Sequence, residues 1–122
     1  MNPGEANDLI LCRLDQAQAA LDDARFLLDG NRSPQSIVNR AYYAMFYAAL
    51  ALLEKAGKAP SKHTGVISLF DTEFVLRGVF SKALSRDFHK AFELRQISDY
   101  RVTEPLPLEK ARATWESAAR FV

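Results

Sequence analysis

The sequence contains very little cysteine and histidine, and this scarcity excludes several kinds of site. Cys12 is the only cysteine among the 122 residues, so the chain can form neither an internal disulfide nor a multi-thiolate zinc site. His63 and His89 are the only two histidines, which is too few for a histidine-rich metal centre. We therefore expect no metal and no other cofactor, and a reduced thiol at Cys12.

An excess of charge and a long apolar run are also missing. Lysine and arginine number 16 against 15 acidic residues, a formal net charge of +1, which argues against coating nucleic acid or an anionic membrane through bulk charge. The most apolar stretch, residues 41–53, is shorter than the roughly 20 residues that a membrane-spanning helix needs. Residues 1–8 show no secretory signal pattern, and we expect a cytoplasmic protein that does not bind a membrane.

Proline and glycine are confined to a few short clusters, which divide the chain into five candidate helices. Because proline removes a helix donor and clashes with the preceding turn, the stretches between such clusters favour helix. The five segments are residues 5–29, 34–56, 62–76, 81–101 and 107–121. None of them shows the sustained alternation with period two that is typical of a strand. The sequence therefore predicts one all-α domain spanning residues 1–122.

Several residues beside these segments are typical of helix ends. Gly30 and Gly78 suit C-terminal ends, since glycine tolerates the left-handed conformation found there. Ser33 followed by Pro34 is typical of an N-cap and a first helical residue, and Ser61 is a second candidate N-cap.

The second segment is apolar almost all round, which is typical of a helix at the centre of a bundle or of one that also forms an interface. Its aromatic residues lie on two adjacent stripes and are Tyr42, Tyr43, Phe46 and Tyr47. Such side chains commonly pack in a core with their hydroxyls at hydrogen-bond partners. A direct role in ligand binding is the alternative. The excess of apolar surface also favours self-association.

A cation and an acid interrupt the apolar face of the fourth segment. That face carries Leu84, Phe88, Ala91 and Phe92. Arg95 and Asp99 occupy its next two positions and can touch because they are four residues apart, while Tyr100 lies about 100° further round. Two interpretations remain open at this point: an ion pair that joins this helix to a neighbour, or an arginine held by its carboxylate for binding phosphate.

The two histidines stand in different contexts. Lys62 and His63 lie at a predicted helix N-terminus, where free backbone amides and the positive end of the helix dipole attract anions. They are therefore candidate ligand-binding residues, although many helices begin with polar residues. His89 lies off the apolar stripe, and we expect it at the surface. The sequence shows no recognisable catalytic triad, glycine-rich phosphate loop or metal-ligand spacing.

Three stretches of the chain read Asn39-Arg-Ala-Tyr-Tyr-Ala-Met-Phe-Tyr-Ala-Ala, Lys62-His-Thr-Gly-Val-Ile-Ser-Leu-Phe and Phe92-Glu-Leu-Arg-Gln-Ile-Ser-Asp-Tyr. Together, these stretches resemble the HEPN superfamily. Within the superfamily, the chain is similar to small stand-alone bacterial and archaeal members. The resemblance implies an up-and-down bundle of four to five helices that is usually a dimer. It also implies a minimal nucleotidyltransferase as partner, in a pair that behaves as a toxin–antitoxin module.

Many HEPN proteins are metal-independent ribonucleases whose motif is an arginine followed four to six residues later by a histidine. Arg95 matches the arginine, but no histidine follows it, and Asp99 and Tyr100 stand in that place. Because the reference pKa of tyrosine is about 10, Tyr100 is a poor proton acceptor at neutral pH. The departure from the motif puts the usual ribonuclease mechanism in doubt for this chain.

The resemblance and the residues together favour a dimeric partner of a minimal nucleotidyltransferase that binds a nucleotide or RNA phosphate. Arg95 is expected to bind the phosphate, Asp99 to orient Arg95, and Tyr100 to contact the ligand. Tyr42 and Tyr43 are expected to line the same cleft, since segments two and four can be neighbours in a bundle.

Two other functions remain open. In a ribonuclease toxin, Arg95 would stabilise the developing phosphorane charge, and Asp99 or Tyr100 would transfer the proton. In a purely structural module, the pair of Arg95 and Asp99 would only brace two helices.

Overall fold

The structure, a computed structural model, describes residues 3–60, 62–100 and 106–122, and within these ranges all side chains except those of residues 3 and 98–100. The α-helices are α1 (Pro3–Asp29), α2 (Pro34–Lys55), α3 (His63–Phe70), α4 (Lys82–Tyr100) and α5 (Leu108–Phe121). The described ranges contain no strand, which confirms the predicted all-α helical bundle. None of these helices, over its described residues, is long and apolar enough to cross a bilayer.

Helix α2 lies at the centre of the bundle and contacts each of the other four α-helices. Ten of its residues are buried: Ile37, Val38, Ala41, Tyr42, Ala44, Met45, Ala48, Ala49, Ala51 and Leu53. Five of these are alanines, which let the neighbouring helices approach closely. The remaining aromatic residues of the helix, Tyr43, Phe46 and Tyr47, are half-buried and pack at the edge of the core. The prediction of a central helix is therefore confirmed.

The beginning of α2 follows the sequence prediction, whereas the end of α1 differs from it. Ser33 is the N-cap of α2 and its hydroxyl accepts a hydrogen bond from the amide of Ser36 at 3.3 Å, with Pro34 at the first helical position. Gly30 was a wrong choice for the left-handed residue after α1, because Asn31 adopts that conformation, with φ of 52°. Asparagine is among the few residues besides glycine that enter this region readily.

The third predicted helix consists of two helices of different type. An α-helix covers His63–Phe70, and a π-helix follows over Asp71–Val75, with the amide of Leu76 donating to the carbonyl of Asp71 at 2.9 Å. Gly78 then ends the segment with φ of 78°, as predicted. The residue before α3 is Lys62, whose side chain makes no cap hydrogen bond. The predicted cap, Ser61, lies outside the described residues.

A carboxylate joins the π-helix to α4. Asp71 accepts a hydrogen bond from the Ser85 hydroxyl at 2.6 Å, and its other oxygen lies 2.6 Å from Nε2 of His89. Ser85 and His89 are one turn apart on α4, so both can reach the same carboxylate. The His89 side chain is 49% exposed, as expected for a surface position, but it is held in place by this contact.

Phe88 is a suitable residue for testing how the core is packed. Its side chain is fully buried, and its ring centre lies 5.2 Å from that of Phe121 and 5.7 Å from that of Phe70. We expect Phe88→Ala to lower the free energy of unfolding by about 3–5 kcal/mol, because the substitution removes apolar contacts and leaves a cavity. Denaturant unfolding monitored by circular dichroism measures the change.

Phe26→Ala is the matched control, because Phe26 is 77% exposed. It should change the free energy of unfolding by no more than about 0.5 kcal/mol. Equal stability losses for the two variants would contradict the packing described here.

Candidate functional site

Two consecutive tyrosines of α2 form the floor of the candidate site. Tyr42 is fully buried, whereas Tyr43 is half-buried, because successive helical positions point about 100° apart. Their ring centres are 5.2 Å apart, with the planes inclined by 72°. The Tyr42 ring also contacts Phe92 of α4, with centres 5.8 Å apart. Tyr42 therefore joins the core to the site, while Tyr43 lies on the outer side of the site.

Helix α4 places Arg95 over both tyrosines. Its Cζ atom lies 5.7 Å from the ring centre of Tyr42 and 5.5 Å from that of Tyr43. At these distances the guanidinium is attracted by the electron-rich faces of the rings. Arg95 is half-buried because it occupies the position at which the inward stripe of α4 continues. The structure thus brings Arg95, Tyr42 and Tyr43 together, and their roles in binding a ligand stay predictions.

Helix α3 adds His63 to the same cluster. The Tyr42 hydroxyl lies 2.7 Å from Nδ1 of His63, and the imidazole stacks on Phe46 with ring centres 4.3 Å apart and planes inclined by 14°. His63 is the first residue of α3 and is half-buried, while Lys62 before it is exposed. Sequence reasoning placed His63 at a helix start but did not show that it would contact the tyrosines.

The surroundings of these groups determine their protonation. Burial lowers the pKa of His63 below its ordinary value, and the nearby Arg95 charge lowers it further. His63 is therefore neutral at pH 7. Burial raises the pKa of Tyr42 well above its ordinary value, although Arg95 opposes this effect. Tyr42 therefore keeps its proton, and Arg95 carries the positive charge of this cluster.

Arg40 is a further cation at the edge of the site, and the sequence analysis did not single it out. Its Cζ atom lies 5.2 Å from the ring centre of Tyr43, and its Nε and Nη2 donate to Oδ1 of Asn39 at 3.1 and 3.0 Å. The spacing of three residues between Arg40 and Tyr43 on one helix is the signal that could have revealed this contact. Tyr43 consequently has two guanidinium groups beside it.

The predicted site also includes Asp99 and Tyr100. The side chains of Asp99 and Tyr100 lie outside the described residues, so the pairing of Asp99 with Arg95 and a ligand contact by Tyr100 stay predictions. Among the side chains that are described, no cluster of three or more His, Cys, Asp or Glu residues could hold a metal ion.

Comparison with known proteins establishes the family. The HEPN domain family matches residues 12–122, a range that includes α2, α3 and α4 and therefore every residue of the site. The chain belongs to the HEPN family, and the resemblance found in the three sequence stretches is confirmed.

Relatives of the chain carry two kinds of name. It is 45% identical over 85 residues to a UPF0332 protein of Thermotoga maritima, and the match covers 70% of this chain and 64% of the relative. It is 35% identical over 109 residues to "Putative toxin MJ0605" of Methanocaldococcus jannaschii, covering 89% of this chain and 80% of the relative. A second protein of that organism, "Putative toxin MJ0142", is 36% identical over 74 residues, 61% of this chain and 50% of the relative.

The lowered pKa of His63 predicts how stability responds to acid. In the unfolded chain His63 takes up a proton near its ordinary pKa of about 6.5, whereas the folded site resists protonation. The free energy of unfolding should therefore decrease as the pH falls from about 6.5 toward the lower pKa of folded His63, because acid favours the unfolded state there. Urea unfolding at several pH values between about 7.5 and 5 measures this decrease.

His63→Gln removes this contribution, whereas His89 is present in both proteins and its effect cancels in the comparison. The variant should lose less stability than the wild type between the two ends of the pH range. If the free energy of unfolding changed with pH in the same way for the two proteins, folding would not lower the pKa of His63, and the prediction would be contradicted.

Proposed function

We propose that this HEPN protein binds a phosphate group of a nucleotide or of RNA and acts as the dimeric partner of a minimal nucleotidyltransferase. The observation that carries the proposal is the position of Arg95 over Tyr42 and Tyr43. Its guanidinium keeps its charge at every physiological pH, and its planar set of N–H donors matches the oxygens of a phosphate.

The surroundings of Arg95 favour binding of an anion. The two rings restrict the guanidinium, so less side-chain freedom is lost when a ligand binds. Half-burial strengthens the attraction between Arg95 and a phosphate, because less water screens the charges. Arg40 adds a second positive charge near Tyr43, which suits a ligand with more than one phosphate.

Family membership supports the proposed partner and the toxin-like role. The resemblance to HEPN proteins implies a minimal nucleotidyltransferase as partner, and two of the relatives carry the name "Putative toxin". Exposed apolar side chains support self-association: Leu11 is 59% exposed and Leu14, one turn further along α1, is 45% exposed. Such neighbouring apolar residues are suited to an interface.

Substitution of Arg95 tests the phosphate site. We expect Arg95→Gln to weaken binding of adenosine monophosphate and of a short single-stranded RNA by about tenfold or more, because it removes charge-assisted hydrogen bonds worth roughly 1.5–3 kcal/mol. Calorimetric titration measures both affinities. Arg86→Gln is the control, since Arg86 lies on the same helix but is exposed and outside the cluster. Equal affinities for wild type and Arg95→Gln would contradict the site.

The partner is tested by co-expression. When the chain is produced together with a minimal nucleotidyltransferase encoded beside its gene, we expect the two proteins to co-purify, and the chain alone to elute as a dimer in size-exclusion chromatography with light scattering. A locus without such a gene, or separate elution of the two proteins, would contradict the partnership.

A metal-independent ribonuclease is the second candidate, because the imidazole of His63 lies near Arg95 and its N–H can add to the stabilisation of the negative charge that develops at the phosphorus. Although no histidine follows Arg95 along α4, an imidazole from α3 lies in the same cluster. RNA incubated with the wild type and with Arg95→Ala separates the candidates. Cleavage that is lost in the variant would favour the ribonuclease, and a loss of stability without any change in ligand or partner affinity would favour a structural brace.

A further inference from the structure

The contact between Tyr42 and His63 raises the question of which ring nitrogen carries the proton. A neutral imidazole has one N–H, and the hydrogen bond at Nδ1 determines whether the other nitrogen, Nε2, is a donor or an acceptor. At the distance of 2.7 Å between the Tyr42 oxygen and Nδ1, either group can be the donor. The environment of the tyrosine hydroxyl decides between the two arrangements.

Because Tyr42 is buried, its hydroxyl must donate the hydrogen bond to Nδ1 of His63. Its side chain is fully buried, and within the described part of the chain Nδ1 of His63 is the hydrogen-bond partner of its hydroxyl. If Nδ1 carried the proton, the buried hydroxyl hydrogen would have no acceptor there, which is costly in a protein interior. The proton of neutral His63 is then on Nε2.

Nε2 is positioned to reach a ligand. His63 is half-buried, its Nδ1 is occupied by Tyr42, and the ring is fixed by stacking on Phe46 at 4.3 Å. The described residues contain no hydrogen-bond partner for Nε2, although the nitrogen is not among the buried unsatisfied atoms. A fixed ring with a solvent-accessible N–H is a pre-organised donor.

We infer that His63 is a ligand-binding residue that donates its Nε2–H to a phosphate oxygen, and that Tyr42 is the positioning residue that fixes this tautomer. The inference rests on the proposed phosphate binding at Arg95. A neutral His63 suits the site, because Arg95 would repel a positive charge on this imidazole in the free protein. A neutral imidazole can still polarise an oxygen through its N–H. Arg95 from α4 and His63 from α3 would then hold one phosphate from two sides.

This tautomer also limits the chemistry of the ribonuclease candidate. Attack by an RNA 2′-hydroxyl on the phosphorus requires a group that accepts the hydroxyl proton while the bond to the 5′-oxygen breaks. With Nδ1 bound to Tyr42 and a proton on Nε2, His63 has no free lone pair for this purpose. His63 is therefore assigned to phosphate binding, and the proton would have to leave by another acceptor.

Nitrogen-15 NMR of the protein with labelled histidine tests the tautomer without any ligand. At pH about 7.5 we expect the His63 resonances to show a protonated Nε2 and an unprotonated Nδ1. The chain has two histidines, so His89→Gln assigns the signals. In Tyr42→Phe the preference should weaken toward that of a free histidine side chain, so a measurable fraction of the Nδ1–H tautomer should appear. A protonated Nδ1 in the wild type, or an unchanged tautomer in Tyr42→Phe, would overturn the inference.

Binding experiments test the ligand contact. Adenosine monophosphate and a short single-stranded RNA should shift the Nε2 resonance of His63 but not that of His89. His63→Phe keeps the stacked ring but removes the donor, and should weaken binding about tenfold. His63→Gln restores an N–H donor near the position of Nε2 and should bind more tightly than His63→Phe.

The outcomes separate this inference from the proposed function. Binding that is lost in Arg95→Gln but unchanged in His63→Phe would leave the phosphate site standing and overturn the role of His63. A wild type that binds neither probe would overturn the phosphate site itself and, with it, the ligand contact of His63.

Discussion

The nearly uniform apolar surface of α2 is the constraint on which the rest of the structure depends. A helix of this kind can be stable in water only when other helices cover it on most sides. In this chain α1, α3, α4 and α5 all contact α2. These four helices are therefore arranged around α2. Polar groups carried by α2 must then find partners within this arrangement, because water is excluded from most of its surface.

Tyr42 shows how that requirement creates a site. Its ring is apolar enough for the core, but its hydroxyl needs a hydrogen-bond partner once it is buried. His63 supplies the partner at 2.7 Å, and the contact fixes the start of α3 against α2. One hydrogen bond therefore has a structural and a chemical consequence: it satisfies a buried group, and it orients an imidazole beside Arg95.

The fold could be predicted from the sequence to a large extent, because its signals are local. Proline and glycine positions marked the helix boundaries, and the cap at Ser33 is formed as expected. The left-handed residue after α1 was expected at Gly30 but is Asn31, because asparagine can also adopt this conformation and the local pattern does not determine which residue does so. The π-helix at Asp71–Val75 was not predictable, since it differs from an α-helix by a single hydrogen-bond register.

The candidate site was predictable only in part, because it is assembled from three helices. Arg95 could be recognised since it interrupts the apolar stripe of its own helix, which is a local signal. The contact between Tyr42 and His63 joins residues 21 positions apart, and nothing in the local pattern around either residue specifies it. Such a contact follows only from the packing of α3 on α2.

The assembly of the site from separate helices also bears on how HEPN chemistry varies. In the motif of HEPN ribonucleases, the arginine and the histidine are on one helix, and their separation is fixed by helix geometry. In this chain the neighbouring imidazole comes from α3, so the geometry of the pair depends on the packing of helices around α2. One nitrogen of this imidazole, Nδ1 of His63, is also hydrogen-bonded to the buried hydroxyl of Tyr42. An imidazole beside the arginine need not be a proton acceptor, because the hydrogen bond at one ring nitrogen determines which of the two nitrogens holds the proton.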